Sequence, residues 1–291
     1  MRLRRTMQFI PGNNPGMVQN GGVLGADSII LDVEDAITLR EKDAARLLVA
    51  SALKSVNFYN SEKVVRINSI DTFALQDINI IVPCAPNAIL LPKTNCAADV
   101  HQVAAWIKAA EKPGQKTVKL IPQIETPQGV IEAYAIAVAD PRVEALALGA
   151  EDYTAILSAQ RTKEGAEILT MRMIVVNAAS AAGIQSIDTP FTDVNDEEGL
   201  IKDTLLAKQL GFKGKLSINP RHIDIIHQVF SPTAKEVAWA SRVIEGLKQA
   251  EKEGAGVITV DGKMVDKPIV DRAQNVMQLA RTLGLVKEAL S

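Results

Sequence analysis

The chain has 291 residues, with 32 Lys and Arg against 34 Asp and Glu, a formal net charge of −2 and a pI near 6.0. The two charge signs are interspersed, which excludes a basic nucleic-acid-binding face. Cys84 and Cys96 form no CxxC pattern, so neither a disulfide framework nor a zinc site is predicted. No apolar run reaches the roughly 18 residues of a membrane span. These features predict a cytoplasmic protein with one large core.

Eight short apolar runs recur along the chain, each followed by a segment of helical periodicity and then by turn residues. This alternation predicts parallel βα units. The expected strands cover residues 7–10, 28–33, 64–67, 88–91, 119–124, 145–148, 185–187 and 215–218. The clearest expected helices cover residues 41–56, 98–111, 165–182 and 197–210, with Gly183 and Gly211 ending the last two.

Eight such units favour a closed (β/α)8 TIM barrel. The alternative is an open doubly wound sheet, but the segment from Pro11 to Gly16 after the first strand lacks the GxGxxG spacing of a dinucleotide site. We expect the barrel to occupy residues 1–231. Residues 232–291 would form a C-terminal helix-hairpin-helix extension, because Asp261 and Gly262 separate two short apolar runs. The extension is expected to pack on the barrel and on a neighbouring subunit.

Polar residues follow nearly every predicted strand. In a (β/α)8 barrel the C-terminal strand ends meet at one opening, and catalytic residues lie there. We therefore expect these side chains to face a solvated mouth. The positions are Gly12, Asp32, Glu34, Asp35, Arg66, Asn68, Lys93, Glu125, Glu151, Asp152, Asp188 and Asn219.

The mouth set is rich in carboxylates and contains no histidine. Hard oxygen ligands without imidazole or thiolate favour magnesium or manganese over zinc. Glu125 and Asp152, on successive strand ends, are the predicted metal ligands. The alternative for each is that an acidic residue simply favours the N-terminus of the following helix.

Two cations complete the predicted mouth. Arg66 offers a planar donor fork for a substrate carboxylate, although it would also serve as an ion-pair partner for Asp32 or Glu34. A lysine at a barrel strand end, such as Lys93, is a candidate Schiff-base nucleophile. Surrounding carboxylates would keep it protonated, so an electrostatic role is favoured.

With these residues placed, the chain resembles the beta-subunit family of citrate lyases, within the broader magnesium-dependent family of citryl, malyl and citramalyl thioester lyases. The resemblance runs through the whole chain in order. Its stretches are 3–7 (LRRTM), 9–15 (FIPGNNP), 25–36 (GADSIILDVEDA), 65–68 (VRIN), 92–93 (PK), 124–127 (IETP), 149–153 (GAEDY), 161–165 (RTKEG), 207–212 (AKQLGF), 218–221 (INPR) and 261–268 (DGKMVDKP).

The resemblance implies that Mg²⁺ is held by Glu125 and Asp152 and that Arg66 binds the oxaloacetate portion of the substrate. It further implies that Asp266, on the extension, reaches the active site of an adjacent subunit as the acid or base. From its position alone, Asp266 would only start a helix before Pro268. The predicted catalytic residues are Asp266, Arg66, Glu34 and Asp35. The predicted substrate-binding residues are Arg66, Glu125, Gly149, Ala150, Glu151 and Lys93.

The implied reaction is a retro-Claisen cleavage of a citryl thioester, carried on an acyl carrier protein subunit or on CoA, to oxaloacetate and an acetyl thioester. The implied partners are that carrier, the alpha and gamma subunits of citrate lyase, and further copies of the chain in a homotrimer or a multiple of it. The alternatives are a malyl-CoA or citramalyl-CoA lyase, a pyruvate-aldehyde aldolase on the same barrel, and a non-catalytic scaffold subunit.

Overall fold

The computed structural model describes residues 2–253, 258–260 and 263–286. The chain divides into two compact units, Met1–His227 and Gln228–Ser291. Among the described residues, no helix is long and apolar enough to cross a membrane. The tip of the predicted hairpin, Asp261 and Gly262, lies outside the described residues.

The first unit is a closed barrel of eight parallel strands in sequential order, closed by pairing of the first strand with the eighth. This confirms the predicted TIM barrel and excludes the open sheet. The strands are β1 (Thr6–Pro11), β2 (Ser28–Asp32), β3 (Glu62–Arg66), β4 (Ala88–Leu91), β5 (Lys119–Ile124), β6 (Ala145–Leu148), β7 (Gln185–Asp188) and β8 (Gly214–Ser217).

Helices connect the strands around the outside of the barrel. They are α1 (Pro15–Asn20), α2 (Lys42–Ser55), α3 (Ala74–Ile81), α4 (Ala97–Ala110), α5 (Pro127–Ile131), α6 (Ala133–Ala137), α7 (Ala150–Ile156), α8 (Leu169–Ala181), α9 (Glu197–Leu210) and α10 (His222–Phe230). Short 3₁₀ turns cover Gly21–Leu24, Leu39–Glu41, Val82–Cys84 and Ala166–Ile168. Gly211 ends α9 in the left-handed conformation at φ 111°, as its position predicted.

Alternation along each strand divides its side chains between the barrel interior and the surrounding helices. The interior layer is a buried apolar cluster. Its members are Met7, Ile30, Val64, Ala88, Leu90, Ile121, Ala145, Ala147, Ile187 and Leu216, with Phe9 packed against them. The residues two positions after these interior side chains face the same way and lie at the C-terminal ends of the strands. They are Asp32, Arg66, Gln123 and Gly149. A residue at the end of a strand therefore reaches the mouth only if it lies an even number of positions from an interior residue.

The lower end of the barrel is held by Arg4, whose guanidinium is 2% exposed. It donates to both carboxylate oxygens of Glu62 at 2.7 Å, to Gln185 at 2.8 Å and to Glu144 at 2.8 Å. One side chain just before β1 thus links residues at the start of β3, before β6 and at the start of β7. Because the conserved chemistry of a barrel lies at the opposite end, this network serves stability.

The second unit contains α11 (Ala234–Glu253), the antiparallel strands β9 (Ile258–Val260) and β10 (Lys263–Val265), and α12 (Lys267–Thr282). The two helices pack on each other around a small apolar cluster that includes Ala240, Val243 and Ala273. This order of elements is the one predicted for the extension. Its packing on the barrel and on a neighbouring subunit stays a prediction.

Candidate active site

A cavity of about 390 Å³ opens at the C-terminal ends of the barrel strands. It brings together residues from seven of the eight strand ends, which is the convergence that the fold makes available to catalysis. Its lining includes Phe9, Asp32, Asp35, Arg66, Gln123, Glu125, Gly149, Ala150, Glu151, Asp152, Thr189 and Ile218.

Glu125, directly after β5, is a buried carboxylate of the mouth and is 2% exposed. Its Oε1 accepts the backbone N–H of Lys93 at 2.6 Å, and its Oε2 accepts the side-chain amide of Gln123 at 2.7 Å. A side chain at Gly149 would overlap Oε2, so glycine is required there. Burial, together with the charges of Glu34 and Asp152, raises the pKa of Glu125 to about 8.

Arg66 forms a bidentate pair with Asp32, with Nε to Oδ1 at 2.8 Å and Nη2 to Oδ2 at 2.6 Å. The two residues are register partners on β3 and β2, so strand pairing itself places them side by side. Nη1 lies 3.1 Å from Glu34, and the guanidinium stacks 4.8 Å from the ring centroid of Phe9. Burial opposes protonation, but the hydrogen bonds and charge of Asp32 raise the pKa of Arg66.

Lys93 follows β4 with a positive φ of 50°, a conformation that residues with a side chain seldom adopt. Its ammonium lies 2.8 Å from Glu34 and 3.5 Å from Asp35. Although partial burial acts in the other direction, these carboxylates raise the pKa of Lys93. The lysine is therefore held protonated, which favours the electrostatic role over a Schiff-base nucleophile.

Glu34 and Asp35 lie on the loop after β2. Asp32 fixes the start of this loop by accepting the backbone N–H of Glu34 at 2.9 Å. The ammonium of Lys42, on α2, donates to the carbonyls of Val33 at 3.0 Å and Glu34 at 2.6 Å. Burial is the main cause of a raised pKa at Glu34.

The segment from Gly149 to Asp152 forms the start of α7. The N–H of Ala150 donates to the hydroxyl of Thr189 at 3.2 Å. The carboxylate of Glu151 turns to Arg161 at 3.0 Å and is 58% exposed. Asp152 lines the cavity, and its negative charge contributes to the raised pKa values of Glu125 and Lys93.

The donor set fits a magnesium ion. Magnesium takes one or two protein carboxylates and completes its octahedron with water and substrate. No group of three metal-ligating side chains occurs in the part of the chain that the structure describes. The side chain of Glu125 lies against Gly149, where a Cβ would overlap it, and the negative charge of Asp152 is close enough to raise its pKa. A divalent cation would relieve this repulsion.

Several predicted mouth positions, among them Gly12, Asn68, Asp188 and Asn219, are not among the residues that line this cavity. Asp188 follows Ile187, whose side chain is interior, so Asp188 points to the helices; it is fully buried and pairs with Arg172 at 2.9 Å and Lys215 at 2.6 Å. The prediction that Asp188 lies in the mouth was wrong, because successive residues of a strand face opposite sides and Ile187 already faces the barrel interior. The side-chain oxygen of Asn219 accepts the N–H of Arg221 at 3.0 Å.

Asp266 begins α12 and accepts the backbone N–H of Ile269 at 3.3 Å through its side chain. Its carboxylate is exposed. It thus performs the helix-starting role that its position before Pro268 predicted, and the implied role in a neighbouring active site remains a prediction.

Three residues of the site were not predicted from the sequence. Gln123 binds Glu125, Lys42 binds the loop after β2, and Thr189 binds Ala150. A signal existed for Gln123, because a residue two places before Glu125 on one strand shares its face. The oxygen Oε1 of Gln123 is buried without a protein partner.

A second cavity of about 440 Å³ adjoins the mouth and shares Asp152 with it. Loops after β3, β4, β5 and β6 form its walls. Its lining includes Ser69, Ile70, Asp71, Lys93, Asn95, Asp99, Thr126, Ala155 and Ile156.

The model of the HpcH/HpaI aldolase/citrate lyase family matches residues 5–220. The chain belongs to this family. It is 47% identical to the citrate lyase subunit beta of Leuconostoc mesenteroides subsp. cremoris, covering 98% of this chain and 96% of the relative. The corresponding subunit of Haemophilus influenzae is 45% identical, with 97% and 98% covered. The resemblance predicted from the ordered stretches is thereby confirmed.

Among solved structures, the chain is similar to a citrate lyase beta subunit from M. tuberculosis complexed with oxaloacetate and magnesium. The TM-score is 0.68 at 29% identity, with 80% of this chain and 100% of the other covered.

Proposed function

We propose that the chain is a carbon-carbon lyase that cleaves a citryl thioester, on an acyl carrier protein or on CoA, into oxaloacetate and an acetyl thioester with the help of Mg²⁺. The observation that carries the proposal is the joint lining of one strand-end cavity by Glu125, Asp152 and Arg66. The similarity to citrate lyase beta subunits over nearly the whole chain supports the choice of substrate.

Glu125 and Asp152 would hold the magnesium ion, because both are carboxylates at the same opening. The bound ion would stabilise negative charge on the hydroxyl oxygen of the citryl group as that oxygen becomes the carbonyl of oxaloacetate. Lys93 N–H and Gln123 fix the two oxygens of Glu125, so this ligand needs little reorganisation on binding.

Arg66 would orient the oxo acid through a substrate carboxylate. Asp32 occupies Nε and one N–H of Nη2, which fixes the plane of the guanidinium. Nη1 pairs with Glu34 at 3.1 Å, so one N–H of Nη1 and the second N–H of Nη2 are left for the substrate. The observed Asp32 pair and substrate binding are therefore compatible. Lys93 adds positive charge nearby, and Gly149, Ala150 and Glu151 line the wall next to the oxo acid.

The cleavage moves one proton from the citryl hydroxyl to a base. The carbon-carbon bond breaks, its electron pair becomes the enolate of the acetyl thioester, and an acid then protonates the enolate carbon. Glu34 and Asp35 are the candidate acceptors of the hydroxyl proton, and burial raises the pKa of Glu34, which makes its carboxylate a stronger base than an exposed one. Asp266 from a neighbouring copy would supply the proton to carbon.

The second cavity would receive the thioester portion, because it shares Asp152 with the mouth and is bounded by Lys93. The proposed setting is a cytoplasmic complex with the carrier protein and the alpha and gamma subunits of citrate lyase. Since Asp266 would act in a neighbour, the working form is a homo-oligomer, a trimer or a multiple of it.

The test is to mix purified chain with citryl-CoA and to follow oxaloacetate release with and without EDTA. Release that requires Mg²⁺ supports the proposal, and Glu125→Gln serves as the variant expected to be inactive. Faster cleavage of malyl-CoA or citramalyl-CoA would assign the chain to those substrates instead. No product from any of the three thioesters, with Mg²⁺ present, would favour the scaffold alternative.

A further inference from the structure

Helix α2 carries two cations at the mouth end of the barrel. Each helix of a (β/α)8 barrel runs back from the C-terminal strand ends, so its first turn lies beside the mouth. Lys42 is the first residue of α2, and Arg46 follows one turn later on the same face. Arg46 is 3% exposed, and its Nη2 is buried without a hydrogen-bond partner among the described residues. Because a buried ion loses its hydration, such a residue is a poor source of stability, and the geometry that it imposes explains it better.

Lys42 holds the loop after β2 by its backbone. The ammonium donates to the carbonyls of Val33 and Glu34, at 3.0 Å and 2.6 Å. Bonds to two successive carbonyls fix the peptide group that joins these residues, and they therefore fix the direction in which the side chain of Glu34 leaves the loop. Lys42 thus acts on the position of the candidate proton acceptors, Glu34 and Asp35, through the chain that carries them.

Arg46 holds the loop after β3 through a second buried residue. Its Nε donates to Oδ1 of Asp77, on α3, at 2.6 Å. Oδ2 of Asp77 accepts the backbone N–H of Asn68 at 2.8 Å and its side-chain amide at 2.7 Å. Asp77 is fully buried, and Asn68 is 3% exposed. A continuous chain of bonds therefore runs from α2 to the loop that follows Arg66, and residues 69–71 of this loop line the second cavity.

We propose that α2 is the positioning element of the mouth, where Lys42 sets the loop of the proton acceptors and Arg46, through Asp77, sets the wall of the second cavity. The roles of the two loops rest on the proposed function, whereas the bonds that hold them do not. Loss of the Lys42 bonds would misplace Glu34 relative to the reacting hydroxyl and lower kcat. Loss of a bond to Asn68 would loosen the wall around the thioester portion and raise KM.

Steady-state kinetics with citryl-CoA and Mg²⁺ measure the two effects. Lys42→Met keeps the length of the side chain but removes its donors, and kcat is expected to fall about tenfold to a hundredfold at unchanged KM. Lys42→Arg restores donors for both carbonyls and should recover most of the lost rate. Asn68→Ala removes one bond to Asp77 while the Arg46–Asp77 pair stays intact, and KM is expected to rise about tenfold at nearly unchanged kcat.

Hydrogen exchange read by mass spectrometry tests the same two loops without turnover. Lys42→Met should speed exchange at residues 33–37 and leave residues 68–72 unchanged, and Asn68→Ala should do the reverse. Lys54→Met is the matched control, because Lys54 is exposed in the last turn of α2. It should match the wild type in both measurements. Circular dichroism confirms that each variant is folded.

Unchanged exchange in both loops would overturn the proposal, and so would variants that alter kcat and KM alike. A wild type that releases no oxaloacetate would overturn the proposed function instead, and the exchange rates would still decide whether α2 positions the two loops.

Discussion

The backbone N–H of Lys93 lies 2.6 Å from Oε1 of Glu125, and the left-handed backbone of Lys93, at φ 50°, aims it there. Lys93 thus makes two contacts in the mouth. Its backbone N–H binds the candidate metal ligand Glu125, and its ammonium lies 2.8 Å from Glu34. The two contributions are separable by mutation.

Lys93→Asn and Lys93→Val both remove the ammonium but differ in the backbone. Asparagine tolerates the left-handed region, whereas a β-branched residue there is strained by about 1–2 kcal/mol. We expect the valine variant to bind Mg²⁺ about tenfold more weakly than the asparagine variant, measured by isothermal titration calorimetry. Equal affinities would show that the backbone of Lys93 does not position Glu125.

The raised pKa of Glu125 predicts that the stability of the metal-free protein depends on pH. Burial raises its folded pKa from the ordinary 4.5 to about 8. Since the folded state favours the protonated form, the stabilising contribution is full below about pH 4.5 and is lost as pH rises through about 8. We expect the melting temperature in EDTA to fall over this interval and the fall to be smaller in Glu125→Gln. Glu198→Gln, on the outside of α9, should follow the wild type. Parallel curves for all three proteins would contradict the assignment.

Asp266→Asn separates the capping role of this residue from its proposed acid role. Asparagine caps a helix as well as aspartate does, so α12 should keep its stability, while loss of the ionisable group should lower turnover at least a hundredfold. Mg²⁺ and oxaloacetate binding should persist. Asp266→Ala would in addition destabilise the helix by about 1 kcal/mol. Unchanged turnover of citryl-CoA in Asp266→Asn would remove this residue from the mechanism.

The buried cluster behind β7 predicts a large stability effect. Asp188 pairs with Arg172 and Lys215, and all three are fully buried. Asp188→Asn leaves two cations with Asp203 as their remaining acidic partner, which is expected to cost about 3–5 kcal/mol in the free energy of unfolding by urea. Lys163→Met removes an exposed pair with Asp193 and Asp196 and should leave the free energy of unfolding nearly unchanged, because solvent screens exposed ion pairs.

The barrel was predictable because strands buried on both faces appear as continuous apolar runs. The expected strand at 119–124 coincides with β5, and the expected helix at 197–210 coincides with α9. Short helices such as α5, α6 and α7 were not predicted, since one or two turns give too little periodicity to detect.

The residues of the mouth were predictable only where the sequence also showed which side of its strand each residue faces. Glu125 and Arg66 follow the interior alternation, but placing the end of β7 at Ile187 hid the outward direction of Asp188. The Asp32–Arg66 pair and the Lys93–Glu125 contact join residues 34 and 32 positions apart. Such contacts depend on strand register and on a backbone angle, and neither of these can be predicted from the neighbouring residues in the sequence.

Arg4 at the lower end of the barrel has a consequence for synthesis on the ribosome. Its partners Glu62, Glu144 and Gln185 lie 58, 140 and 181 residues later in the chain. The guanidinium therefore completes its bonds only after nearly two thirds of the polypeptide has emerged, and β1 pairs with β8 later still. Closure depends on contacts of long sequence separation, which form slowly. During that interval the N-terminal strands expose an unpaired edge, and this nascent stage is where chaperone binding and aggregation would compete with folding.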